Sequence, residues 1–140
     1  MYLPTVQGEK LEIAIGLDTS SSVSEKEFQE FIAEVKGITD QFSDYVLHLF
    51  FCDVAIHERM TLTTHDAWPE TFPKKNGGTS FVPVFNVISE EQLPIAALVY
   101  LTDGTGTYPE ACPHEYAVIW ILNKEYQVPW GHTITMEVDT

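Results

Sequence analysis

Asp18, Ser20 and Ser22 occupy alternate positions in the stretch Asp18-Thr19-Ser20-Ser21-Ser22, between an apolar run and a strongly patterned segment. Alone, Asp-x-Ser-x-Ser ahead of a helix is capping chemistry, and a lone Thr-Asp-Gly is a turn. Two further stretches, Gly77-Gly78-Thr79 and Leu101-Thr102-Asp103-Gly104, change that reading. Asp18, Ser20, Ser22, Thr79 and Asp103 are all hard oxygen donors, the kind that hold a hard divalent cation. Two carboxylates balance a dication. The hydroxyls leave room for the waters that Mg²⁺ retains, and for one anionic oxygen from a partner. Alternation puts Ser20 and Ser22 on one side of an extended loop, and Gly77-Gly78 lets the backbone turn to bring the Thr79 hydroxyl inward.

These donors can meet only if the elements around them converge. Residues 11–17 are near-continuously apolar, as in a strand covered on both faces, with Gly16 marking close approach of another backbone. Ser24-Glu25-Lys26-Glu27 is a capping-box pattern. Phe28, Phe31, Ile32, Val35, Ile38 and Phe42 follow at helical spacing, which predicts a helix over 24–40. Runs 45–52 and 54–61, with only Asp53 between them, predict a hairpin whose second arm is antiparallel and at a sheet edge. Residues 63–76 read as a loop with at most one helical turn. Thr79 or Ser80 is the expected cap of a short helix to about Glu90, with Pro83 in its first turn. Residues 95–101 and 116–122 are further buried strands, the connection 105–113 has room for one helical turn only, and 132–138 reads as a terminal or edge strand. Apolar strands interleaved with helices predict an α/β fold, a Rossmann-like three-layer sandwich with a mainly parallel sheet and one antiparallel edge strand. Ligands bind beyond the carboxyl ends of such strands, where Asp18 and Asp103 both emerge.

Composition narrows the partners. The 140 residues suit a single domain, and a hydrophobic fraction of 44% supports a folded core. Seven Lys and Arg against 21 Asp and Glu give a formal charge of −14, which disfavours nucleic acid and anionic membranes. Residues 1–10 lack a signal pattern and no run approaches the roughly 20 apolar residues of a membrane span, so a soluble, cytoplasmic chain is expected. Cys52 and Cys112 are too few for a metal cluster, and a bridge between them is left open.

The five donors resemble the metal-ion-dependent adhesion site (MIDAS) of von Willebrand factor A (VWA) domains. Asp18, Ser20 and Ser22 match the family's Asp-x-Ser-x-Ser, Thr79 its isolated threonine, and Asp103 its Thr-Asp-Gly aspartate. The stretches LDTSSSVSEKEFQEF, GGTSFVPVF and YLTDGTGTYPE resemble the bacterial VWA-like domain that commonly follows a domain of metallopeptidase type. The likeness runs from about Leu11 onward. It implies a Rossmann-like fold and a site for Mg²⁺ or Mn²⁺, with Ca²⁺ also admitted. It implies direct ligation by Ser20 and Ser22, direct or water-mediated ligation by Thr79, Asp18 and Asp103, and a partner's Asp or Glu completing the octahedron. VWA domains of this kind often accompany AAA+ ATPases, which makes such an assembly the expected partner. The chain departs from larger VWA domains in the short connection after Asp103, and it carries no His-Glu-x-x-His motif.

Asp53, Gly78 and Gly104 fall beside the ligands, and Trp68, Lys74, Lys75, Tyr108 and His114 are candidates for a partner-facing rim. Lys74 and Lys75 stand out because positive charge is scarce. The five histidines are scattered without ligand spacing. Two alternatives from other classes are a Mg²⁺-dependent phosphoester hydrolase and a non-catalytic piece of a metallopeptidase-type protein. A phosphotransfer nucleophile at Asp18 wants an acid two residues on, where Ser20 stands, and no Gly-x-x-x-x-Gly-Lys phosphate loop is present.

Overall fold

The computed structural model describes residues 10–136. The amino-terminal residues 1–9 and the end of the last expected strand, 137–138, lie outside the described residues. The order is β1 (Leu11–Asp18), α1 (Glu25–Thr39), β2 (Tyr45–Cys52), β3 (Ile56–Thr63), α2 (Val82–Glu91), β4 (Ala97–Thr102), β5 (Ala117–Leu122) and β6 (His132–Thr135). The six strands form one sheet in the order β3-β2-β1-β4-β5-β6. All neighbours run parallel except β3, which pairs antiparallel with β2 at one edge.

Residue parity divides the core, because successive side chains along a strand point to opposite faces. Ile13, Ile15, Leu17, Leu47, Leu49, Phe51, Val99 and Leu101 pack with Phe28, Phe31, Ile32, Val35 and Ile38 of α1. Ala14, Phe50, Cys52, Leu98, Tyr100, Val118, Trp120 and Leu122 pack with Val84, Phe85 and Ile88 of α2. The two apolar layers explain why β1, β4 and β5 are almost uninterruptedly hydrophobic.

The capping box of α1 forms as its sequence predicts: Ser24 Oγ accepts from Glu27 N, and Glu27 Oε1 accepts from Ser24 N. At α2 the expectation fails. Neither Thr79 nor Ser80 caps the helix; Phe81 occupies the cap position without a side-chain hydrogen bond. Residues 79–81 instead run alongside the β4–β5 connection, with Ser80 N donating to Asp53 O at 2.9 Å and Phe81 N to Thr107 O at 2.9 Å. The β2–β3 turn is also longer than the single-residue link suggested. Asp53 N donates to Ala55 O, Ala55 N donates to Asp53 Oδ1, and a register shift lies at Phe51/Cys52. Gly16 answers to a side chain and not to a backbone, since a Cβ there would lie 2.5 Å from Tyr100 Cδ2.

Among the described residues no helix covers β5 on the α2 side beyond α2 itself, and none forms in 103–116. Aromatic rings fill that layer. Phe81 lies 4.7 Å from Tyr108 and 5.1 Å from Trp120, and Trp120 lies 5.8 Å from Trp130, between ring centroids. Both indole N–H groups are bound, Trp120 to Trp130 O and Trp130 to Pro109 O. Cys52 and Cys112 are both free thiols. Among the described residues no helix is long and apolar enough to cross a membrane.

Candidate metal centre

The strand order reverses direction between β1 and β4, so the connections leaving these two strands diverge and open a crevice at their carboxyl ends. Leu17 is paired with Leu101, which delivers Asp18 and Asp103 to the same edge from neighbouring strands. Asp18, Ser20 and Asp103 are buried, Thr79 is half-buried and Ser22 is exposed. The donors thus lead from the core to the surface.

Asp18 is held by two donors. Ser20 N donates to Oδ1 at 2.9 Å, and the Thr102 hydroxyl donates to Oδ2 at 2.6 Å. Thr102 Oγ1 in turn accepts from Gly104 N at 3.1 Å. Burial raises the Asp18 pKa; the bonds from Ser20 and Thr102 pull it down, and the nearby charge of Asp103 pushes it up again. The Asp18–Ser22 segment turns rather than extends, with Val23 N donating to Ser20 O, yet the Ser20 and Ser22 hydroxyls still lie together at 3.1 Å.

The third loop is laced to the first two. Ser21 N donates to Gly77 O at 3.0 Å, and Thr107 N to Thr79 O at 3.4 Å. A Cβ on Gly106 would lie 2.7 Å from the Thr79 methyl. Gly77 is required by contact: a Cβ there would meet Asp53 Oδ2 at 2.4 Å. Among glycines of the described residues, positive φ occurs only at Gly104 (90°) and Gly131 (92°), so the turn that brings Thr79 inward is made without left-handed backbone at Gly77 or Gly78.

Asp103 Oδ1 accepts from Thr105 N at 3.0 Å, whereas Oδ2 is buried without a hydrogen-bond partner. Its one ion pair among the described residues is Lys124 Nζ at 3.9 Å, on a side chain that is 58% exposed. The Lys74 ammonium is engaged by Ser20 O at 3.2 Å and by Asn76 Oδ1. Two buried carboxylates, one with an orphaned oxygen, beside two adjacent hydroxyls make a donor set that fits a divalent cation. No cluster of three or more His, Cys, Asp or Glu in a metal-holding arrangement occurs among the described residues. The candidate centre would instead draw on two carboxylates and neutral hydroxyls.

The rim divides. Lys74 lies on the Ser20 loop, Asp53 sits behind Gly77, a Cβ on Gly78 would meet the Val54 side chain at 3.0 Å, and Tyr108 OH binds Gly104 O. Lys75 is exposed, and its charge helps to lower the pKa of His57, where burial is the larger cause. His114, exposed, lines a groove between α2 and the 109–116 segment. Trp68 is not at the site. Its indole N–H meets Tyr45 OH, Lys36 lies over its ring at 5.5 Å and Phe72 lies against it, all of which places it near the start of β2 and the end of α1. Thr102, whose hydroxyl holds Asp18, is a residue of the candidate site that the sequence left unassigned. Its position as the last residue of β4, one before Asp103, was the available signal.

A Rossmann-like sheet with oxygen donors at its switch point defines a VWA-like domain. The chain belongs to the family described as VWA-like domain (DUF2201), whose model matches residues 13–137. Its fold is similar to that of the ArnB paralog VWA2 from Sulfolobus acidocaldarius, at 14% identity and a TM-score of 0.63 over 79% of this chain and 34% of that one. It is also similar to an aerotolerance-related membrane protein from Bacteroides fragilis, at 13% identity and a TM-score of 0.50 over 82% of this chain and 67% of that one. The chain thus spans about a third of the archaeal protein's length. A search of curated proteins returned no match.

Proposed function

We propose that this VWA-like domain is a divalent-metal-dependent protein-interaction module. Ser20, Ser22, Thr79, Asp18 and Asp103 would hold Mg²⁺ or Mn²⁺, and a bound ion would supply a coordination position for an Asp or Glu of a protein partner. The observation that carries the reading is the buried, unpartnered Asp103 Oδ2 on the strand next to buried Asp18. The nearest cation, the exposed Lys124 ammonium at 3.9 Å, lies beyond hydrogen-bond reach, so a bound metal ion would offset a desolvation that the described side chains leave largely uncompensated. Lys74 and Lys75 give a locally positive margin to a chain of charge −14, which suits an acidic partner surface. An AAA+ ATPase assembly is the setting that the family resemblance favours for that partner.

The test is calorimetry with Mg²⁺ and with Mn²⁺ on the wild type, Asp18→Ala and Ser20→Ala. Binding in the wild type and none in Asp18→Ala is the expected result. Equal binding by all three sinks the assignment, and anomalous density from a Mn²⁺ soak would show where the ion sits instead. The hydrolase alternative gains no acid at the second position, because Ser20 is there and uses its N–H to hold Asp18.

A further inference from the structure

Asn123, the first residue after β5, is 7% exposed, and its Oδ1 is the other buried side-chain oxygen without a hydrogen-bond partner. Thr102 and Leu122 are paired in register, so Asp103 and Asn123 leave adjacent strands side by side. Asn123 N also donates to Thr102 O. Lys124, the next residue after Asn123, brings its ammonium within 3.9 Å of Asp103 Oδ2.

The orientation of the Asn123 amide is fixed. Asn123 Nδ2 donates to Glu27 Oε2 at 2.6 Å, while Glu27 Oε1 closes the α1 capping box on Ser24 N. Flipping the amide would set oxygen against oxygen, so Oδ1 occupies the branch away from Glu27. Two orphaned acceptors on adjacent strand ends share one lack: a source of protons. An ion that keeps several waters needs such acceptors around it, because each coordinated water directs its hydrogens outward.

We infer that Asn123 belongs to the metal centre as an acceptor for the hydration sphere of the ion, with Glu27 as the residue that positions it. The inference rests on the metal reading above and extends the centre from β1 and β4 to β5 and the first turn of α1. Asn123 favours Mg²⁺, which dehydrates reluctantly, over Ca²⁺, which accepts six to eight direct oxygen ligands.

The experiment titrates Mg²⁺ and, separately, Ca²⁺ into the full chain as wild type, Asn123→Ala and Glu27→Gln, with thermal melts in chelator for each. Asn123→Ala should weaken Mg²⁺ by about tenfold or more and Ca²⁺ distinctly less. Glu27→Gln preserves the capping box but lets the Asn123 amide flip, so it should weaken Mg²⁺ with an unchanged melt. It carries the test alone if Asn123→Ala does not fold. Unchanged Mg²⁺ affinity overturns the inference, as would be seen if ordinary buried water satisfied both oxygens. Equal losses for Mg²⁺ and Ca²⁺ also overturn it, because a merely structural role predicts them. If the wild type binds Mg²⁺, Asp18→Ala does not, and Asn123→Ala matches the wild type, only this inference falls. If the wild type binds neither ion, the metal reading falls and this falls with it.

Discussion

Replacing Thr102 with valine removes one hydroxyl from a fully buried position while nearly preserving shape. That hydroxyl serves two partners: it donates to Asp18 Oδ2 at 2.6 Å and accepts from Gly104 N at 3.1 Å. A hydrogen bond to a charged group contributes about 1.5–3 kcal/mol, and a neutral one about 1 kcal/mol. Both partners are buried, so water does not replace the lost hydroxyl, and Thr102→Val should cost about 3 kcal/mol at pH 7. For a domain of this size that is a fall of about 10 °C in Tm. The pH dependence has a definite sign. Burial raises the folded-state pKa of Asp18 above its ordinary 3.8, so the ionised group costs stability above that raised value, and the cost fades as pH falls towards 3.8. Thr102 stabilises the ionised form; without it the pKa rises further and the cost at neutral pH grows. Urea denaturation in chelator at pH 7 and pH 4 should therefore show a larger Thr102→Val penalty at pH 7. A penalty below about 0.5 kcal/mol at pH 7, or one that is the same at both pH values, would refute the claim that Thr102 supports an ionised Asp18.

Gly16→Ala should destabilise by about 2 kcal/mol or more in the same assay, since the new methyl lies 2.5 Å from the buried Tyr100 ring; a neutral result would mean that the ring can withdraw. Ser24→Ala breaks the capping box and should cost about 1 kcal/mol without altering Mn²⁺ affinity measured by calorimetry. Lys74→Glu with Lys75→Glu should weaken binding of an oligo-glutamate peptide several-fold in the presence of Mg²⁺ and flatten its salt dependence. Unchanged peptide affinity would remove the lysines from the rim.

The inner strands β1, β4 and β5 were legible because each is covered on both faces and so loses its polar residues; that placed the ends from which Asp18 and Asp103 emerge. The candidate hydroxyl donors stood out in the sequence by type and spacing, and the structure sets Ser20 and Ser22 side by side at 3.1 Å. Thr79 was read two ways, as ligand and as helix cap, and the cap reading failed because the backbone of 79–81 is bound to Asp53 and to the β4–β5 connection. Trp68 was misplaced because a loop without periodicity does not reveal its path: it crosses the α1 layer, with Phe72 stacked on Phe51 at 5.7 Å. Glu27 and Asn123 are 96 residues apart, and nothing in either neighbourhood names the other. Their meeting depends on the register of β4 with β5 and on where α1 begins, both of which are tertiary facts.

The ring layer over β5 has an optical consequence. Tyr108 packs against Trp120 at 5.0 Å and against Trp130 at 6.4 Å, and its hydroxyl is bound to the carbonyl of Gly104, the residue after Asp103. Two indoles and a phenol at such separations couple as chromophores. Their near-ultraviolet circular dichroism reports the spacing of a layer that is tied to the loop after β4 at Gly104. Titrating a cation against that signal would follow the loop after β4 without an added label.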